Sequence, residues 1–174
     1  FSNQLGKVLE KSGAWGAIRV TPNSDVIMDL YITGTIHQSD GETMDLEIAV
    51  VDSSGKKWFK KRYKQTTGKY AYDRRLKSLG DPFQNLFIRI ANDLLAYREK
   101  ISDQRAEDLR TISELRFARK FSPEAFDNYV EEDRKGLLSI SRLPAENDSI
   151  LIRVRKIRER DYLYVDTMQD YYDG

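Results

Sequence analysis

Hydrophobic and polar positions alternate from Asp29 to Lys64 with a period of two. Leu30, Ile32, Gly34 and Ile36 share one parity against Tyr31, Thr33 and Thr35, and Met44, Leu46, Ile48 and Val50 share one against Asp45, Glu47 and Ala49. Successive side chains of a strand point to opposite faces, so this pattern predicts strands with one buried side. The connectors Ser39-Asp40-Gly41 and Ser53-Ser54-Gly55 are short, polar and glycine-containing, which makes the unit an antiparallel meander. The third strand is less regular. Its core candidates are Phe59 and Tyr63, with Lys61 between them.

On either side of the meander the period lengthens. Residues 1–12 read as a short helix with Leu5, Val8 and Leu9 on one face and Gly13 as its stop. Residues 15–22 read as a strand ending at Pro22, and Asn23-Ser24-Asp25 as a turn. Residues 66–80 lack a clean period and read as a long loop. Asp81-Pro82-Phe83-Gln84 starts a helix, with Asp81 as cap, Pro82 at the first position and Gln84 closing a capping box. Phe83, Leu86, Phe87, Ile90, Leu94 and Tyr97 then form an apolar stripe that can lie on the sheet. A second helix covers residues 103–120 with Leu109, Ile112, Leu115 and Phe117. A third starts at Ser122 and stops near Gly136, and a short extended piece follows over 137–143. The last helix begins near Glu146-Asn147-Asp148 and carries Ile150, Val154, Ile157, Tyr164, Met168 and Tyr171. The fold class is therefore α+β: a small antiparallel sheet packed by helices, with a helical C-terminal extension. The expected division is an α/β domain over 1–100 and the extension over 101–174.

Composition narrows the chemistry. The 29 basic and 28 acidic side chains nearly cancel, which argues against non-specific nucleic-acid binding. No apolar run approaches the length of a membrane span. Zero cysteine removes disulfides, thiolate zinc sites and cysteine nucleophiles together. The single histidine, His37, ends the first meander strand without an identifiable catalytic partner and reads as a surface residue. Asp40, Glu42, Asp45 and Glu47 crowd the first hairpin without the spacing of an EF-hand, and read as a solvated outer sheet face. The Gly-Lys pairs lack the remainder of a phosphate loop, and no serine sits in a nucleophile elbow. No catalytic residue, metal ligand or cofactor site is expected.

Three clusters bear on partners. Lys56, Lys57, Lys60, Lys61, Arg62 and Lys64 interleave with Trp58, Phe59 and Tyr63 on the third strand. The pattern fits a polyanion surface, but it fits a lysine-protected edge strand better, given the neutral chain and the acidic hairpin beside it. Arg153, Arg155, Lys156, Arg158 and Arg160 read as a solvated helix face. Residues 162–172 are dense in aromatics and methionine, the residue types enriched in interface cores. Two readings stand side by side: a protein-binding element, or a helix whose aromatics fill the domain's own core. The candidate protein-interaction residues are Lys57, Trp58, Lys60, Arg62, Tyr162, Tyr164, Met168, Tyr171 and Tyr172.

The run Asp29-Leu-Tyr-Ile-Thr-Gly-Thr-Ile, then Leu46-Glu-Ile-Ala-Val-Val-Asp-Ser-Ser-Gly-Lys-Lys-Trp, then Asp81-Pro-Phe-Gln-Asn-Leu-Phe resembles a group of bacterial envelope proteins. It is similar to the small α/β domain of the CsgG, TolB N-terminal and LpoB-type proteins over about residues 1–100. The remainder, with Leu115-Arg-Phe-Ala and Ile157-Arg-Glu-Arg-Asp-Tyr, resembles a proteobacterial envelope lipoprotein family carrying that domain. The resemblance implies a periplasmic, outer-membrane-associated protein with a lipid anchor preceding Phe1, acting non-enzymatically with other envelope proteins. The expected role is a docking or structural subunit of an outer-membrane-associated assembly, such as a secretion-system core complex of the type IVB kind. The alternatives are a periplasmic regulator of a cell-wall synthase and an anionic-ligand binding module. No nucleic acid is expected as partner.

Overall fold

The computed structural model describes residues 1–22, 24–68 and 81–173, with side chains through residue 169. The elements run α1 (Ser2–Ser12), β1 (Leu30–Ser39), β2 (Thr43–Asp52), β3 (Lys57–Thr66), α2 (Gln84–Arg98), α3 (Asp103–Phe121), α4 (Pro123–Phe126), β4 (Val130–Glu132), β5 (Leu138–Ile140) and α5 (Ser149–Asp173). A single 3₁₀ turn, Asp127–Tyr129, joins α4 to β4. The fold is α+β. Strands β1, β2 and β3 form an antiparallel meander in sequence order, and β4 pairs antiparallel with β5 through Val130↔Ile140 and Glu132↔Leu138.

The chain gathers into two compact units. The first holds Phe1–Val20, Ile32–Val50 and Trp58–Lys100, and the second holds Thr21–Tyr31, Val51–Lys57 and Ile101–Gly174.

In the first unit, period-two burial shapes β2 as expected: Leu46, Ile48 and Val50 are fully buried. Helix α2 sinks Leu86, Phe87, Ile90 and Leu94 into the same core, and α1 adds Leu5 and Leu9 before stopping at Gly13. The start of α2 differs from the expected capping box. Asp81 Oδ1 accepts from Phe83 N at 2.8 Å, but it closes a turn, and the helix begins only at Gln84. Residues 15–22 join no sheet. Instead Ile18 and Val20 rest beside Gly6 of α1, so their apolar pattern serves helix packing instead of a ladder. On β3 both Trp58 and Tyr63 are buried, although their parities are opposite. Alternation holds from Phe59 onward: Lys61 and Tyr63 reach Asp93 of α2, while Lys60 and Arg62 reach Glu47 and Asp45 on the other face, and Trp58 is buried at the strand's start. Phe59, the expected core residue, is only half-buried.

The second unit has its own core of Leu115, Ala118, Phe126, Val130, Leu151 and Val154. Helix α3 starts at Ser102, whose hydroxyl accepts from Arg105 N at 3.1 Å. The expected third helix over 122–136 is one turn of α4 followed by a hairpin. Asp133 Oδ1 accepts from Lys135 N at 2.7 Å and Leu137 N at 2.9 Å and so turns the chain back. Helix α5 is capped by Asp148, as expected, through Ile150 N at 2.8 Å and Leu151 N at 3.0 Å. Its buried stripe runs through Leu151 and the expected Val154, whereas Ile150, also expected there, is 44% exposed.

The β2–β3 turn belongs to this second unit and is buried there. Asp52, Ser53 and Ser54 are almost inaccessible. Ser53 Oγ donates to Leu109 O at 2.6 Å, and Arg116 Nη1 donates to Ser53 O at 2.9 Å. Arg105 Nη2 donates to Ser54 Oγ at 2.8 Å and lies 3.6 Å from Asp52 Oδ2. Leu138 N donates to Ser54 O at 2.8 Å. Every polar atom named here has a partner, which is what makes a buried polar turn tolerable.

Candidate interaction site

The outer face of the meander is an ion-paired surface. Asp45, expected to be solvated, is 2% exposed and receives both Arg62 Nε at 2.7 Å and Arg62 Nη2 at 2.9 Å. The paired Arg62 bonds hold its carboxyl below the usual range, with Lys64 at 4.0 Å assisting. Lys60 meets Glu47 at 2.7 Å and lowers that carboxyl as well. His37 is exposed, and the buried carboxylate Asp45 is committed to Arg62.

Beside this face, Lys61, Arg62, Tyr63, Lys64, Arg89, Asn92 and Asp93 line an open cleft of 340 Å³. Of its four cations, Lys61 is paired with Asp93, while Arg62 and Lys64 reach Asp45. Asp93 Oδ2 accepts from Lys61 Nζ and Tyr63 Oη, each at 2.6 Å. Partial burial pushes the Asp93 carboxyl up, but those two bonds together with the charges of Lys61 and Arg89 make the net direction down. Burial, with the Asp93 bond, pushes the Tyr63 phenol up. Arg89 Nη2 donates to Lys64 O at 3.0 Å.

The expected interaction residues divide between the two units. In β3, Lys57, Lys60 and Arg62 are exposed, the last two within the ion pairs above. Trp58 is 8% exposed and stacks on Tyr97 at 4.8 Å between ring centroids, so its ring faces the core. In α5, Tyr162 is half-buried and its hydroxyl donates to Ile27 O at 2.9 Å. Tyr164 is 65% exposed and Met168 is half-buried, while the side chains of Tyr171 and Tyr172 lie outside the described residues.

Two residues that sequence reasoning passed over matter here. Arg158, read as part of a solvated basic face, lies between the rings of Phe117 and Tyr162, 5.9 Å and 5.1 Å from their centroids. It donates to Ser113 Oγ and to Ile27 O, and Ser113 Oγ donates to Asp29 Oδ1 at 2.6 Å. This network fixes the middle of α5. Leu163, the second, is as exposed as Tyr164 and stands beside it. The spacing Leu151, Val154, Arg158, Tyr162 is a three-four repeat that identifies the inward stripe, but an arginine in the third place hides it from a hydrophobicity scan.

Among the described residues no group of three or more His, Cys, Asp or Glu side chains is arranged to hold a metal ion, and no helix is long and apolar enough to cross a membrane. No family model, curated protein or solved structure matches the chain.

Proposed function

We propose that the protein is a non-enzymatic docking module, a structural subunit of a multiprotein assembly. The observation that carries this reading is the far half of α5. The helix has 25 residues, about 37 Å of length, yet among its described side chains the last fully buried apolar one is Val154. Beyond the Arg158 and Tyr162 anchors it presents Leu163 and Tyr164, each 65% exposed. Adjacent large apolar side chains on a rigid, anchored helix are what a partner groove receives. The periplasmic, outer-membrane-associated location and the secretion-system setting of this proposal rest on the sequence resemblance alone.

The test is affinity purification of the full-length protein from membranes in mild detergent, with mass spectrometry of what co-elutes. A stoichiometric set of envelope proteins, lost in a Leu163→Glu/Tyr164→Glu variant that still folds, is the expected result. A protein that elutes alone, or a variant that keeps its partners, overturns the reading. Elution with a single cell-wall synthase replaces the structural subunit with a regulator.

The β3–α2 cleft favours a second reading, an anionic-ligand module, because its four cations Lys61, Arg62, Lys64 and Arg89 outnumber the two carboxylates they meet, Asp93 and Asp45. Its mark is an affinity that falls steeply with salt and with Arg89→Gln.

A further inference from the structure

The two edges of the meander are built in opposite ways. Strand β3 carries Lys57, Lys60, Lys61, Arg62 and Lys64, and Arg89 covers the Lys64 carbonyl. Those are devices that keep a foreign strand away. Strand β1, Leu-Tyr-Ile-Thr-Gly-Thr-Ile-His-Gln-Ser, has none of them. It contains no Lys, Arg, Asp, Glu or Pro, and every residue from Thr33 to Ser39 is exposed. Ile36 is 56% exposed although its parity is that of the core face. Among the described residues no strand lies on the far side of β1. A long, uncharged edge of high β-propensity is a template for pairing.

The sequence of the edge says what it pairs with. Residues 32–36 read Ile-Thr-Gly-Thr-Ile, the same in both directions about Gly34. Two antiparallel copies with a two-fold axis at Gly34 place Ile32 opposite Ile36, Thr33 opposite Thr35 and Gly34 opposite Gly34. The Ile–Ile and Thr–Thr pairs are favourable cross-strand matches, the Gly34 pair lets the backbones approach, and the absence of charge means like meets like without repulsion. The backbone register fits as well. Ser53 N donates to Asp29 O at 2.8 Å, so strand alternation turns the peptide groups of the even-numbered residues Ile32, Gly34 and Ile36 toward the open edge. The ring of Phe1 lies where a Gly34 side chain would stand, on the core-facing side.

We infer that the protein self-associates through β1, as an antiparallel pair with a second copy of this chain that joins two three-stranded sheets across Gly34. This goes beyond the docking reading and uses a surface separate from Leu163 and Tyr164.

The test is sedimentation of the full chain over a wide concentration range, with two double variants at exposed positions. Thr33→Lys/Thr35→Lys sets lysine directly opposite lysine twice across the axis, and Thr33→Glu/Thr35→Lys sets glutamate opposite lysine twice. The expected result is a concentration-dependent doubling of mass for the wild type, its loss in the lysine pair, and its retention in the glutamate–lysine pair. Unchanged far-ultraviolet circular dichroism in all three separates this from misfolding, and the melting temperature of the dimerising forms rises with protein concentration. A wild type that stays at one chain mass overturns the inference, as do two variants that behave alike. The Leu163→Glu/Tyr164→Glu variant is expected to dimerise like the wild type, so failure of the docking reading leaves this result standing.

Discussion

Single residues decide whether the polar parts of this protein hold. Gly55 sits in the β2–β3 turn at φ 86°, and a Cβ there would lie 3.3 Å from Gly136 O. Gly55→Ala is therefore expected to cost about 1–2 kcal/mol in the left-handed region, before any crowding, as read by urea denaturation. Asp45 and Asp93 give a pH dependence of known sign. Both carboxyls are held below their ordinary value when folded, so both stabilise the native state above the unfolded range near about 4. That contribution is lost as pH falls through the lowered folded values. Asp45→Asn is expected to flatten the acid limb of a stability-versus-pH curve and leave the curve above pH 6 or so parallel to the wild type. An unchanged acid limb would mean that Arg62 gains nothing from its buried partner.

Elements were legible to the degree that their pattern was long. The meander, α1, α2, α3 and the start of α5 all follow from period and caps, because each repeats its signal over ten residues or more. Strands β4 and β5 have three residues each, too few for a period to register, and their pairing depends on Asp133 turning the chain. Residues 15–22 carry an apolar alternation that α1 absorbs, which only tertiary packing reveals. At the candidate site, composition marked the end of α5 but could not separate anchors from exposed residues, since Tyr162 bonds inward while Leu163 and Tyr164 do not share its burial. Within α2, Leu94 is fully buried, and Leu94→Ala is expected to cost about 2–5 kcal/mol. Within α5, Arg158→Lys keeps the charge but cannot reproduce a guanidinium that bonds Ser113 and Ile27 while lying over the rings of Phe117 and Tyr162. It is expected to lower the melting temperature and speed hydrogen exchange along the second half of the helix, whereas the exposed Arg153→Lys changes neither.

At the scale of the whole molecule, the two compact units are not successive pieces of chain. Residues 21–31 and 51–57 are assigned with the C-terminal helices, and the sequence between them with the sheet and α2. A fragment of residues 1–100 would keep the side chains of the first core but strip Ser53 and Ser54 of Leu109 O, Arg116 and Arg105. That fragment is expected to unfold at a lower temperature than the full chain and to be cut by protease near the β2–β3 turn, where the full chain resists.

The buried turn also sets a timetable for synthesis. Ser53 and its acceptor Leu109 are 56 positions apart, which a ribosome adding about 5–20 residues per second covers in roughly 3 to 11 s. Ile27 waits for Tyr162 across 135 positions, roughly 7 to 27 s at the same pace. Throughout that interval the nascent hairpin displays the unsealed hydroxyl and carbonyl of Ser53 to every neighbouring chain on the same message. Synonymous codons that slow translation between residues 57 and 109 would lengthen this exposure and lower the yield of soluble protein without altering a single side chain.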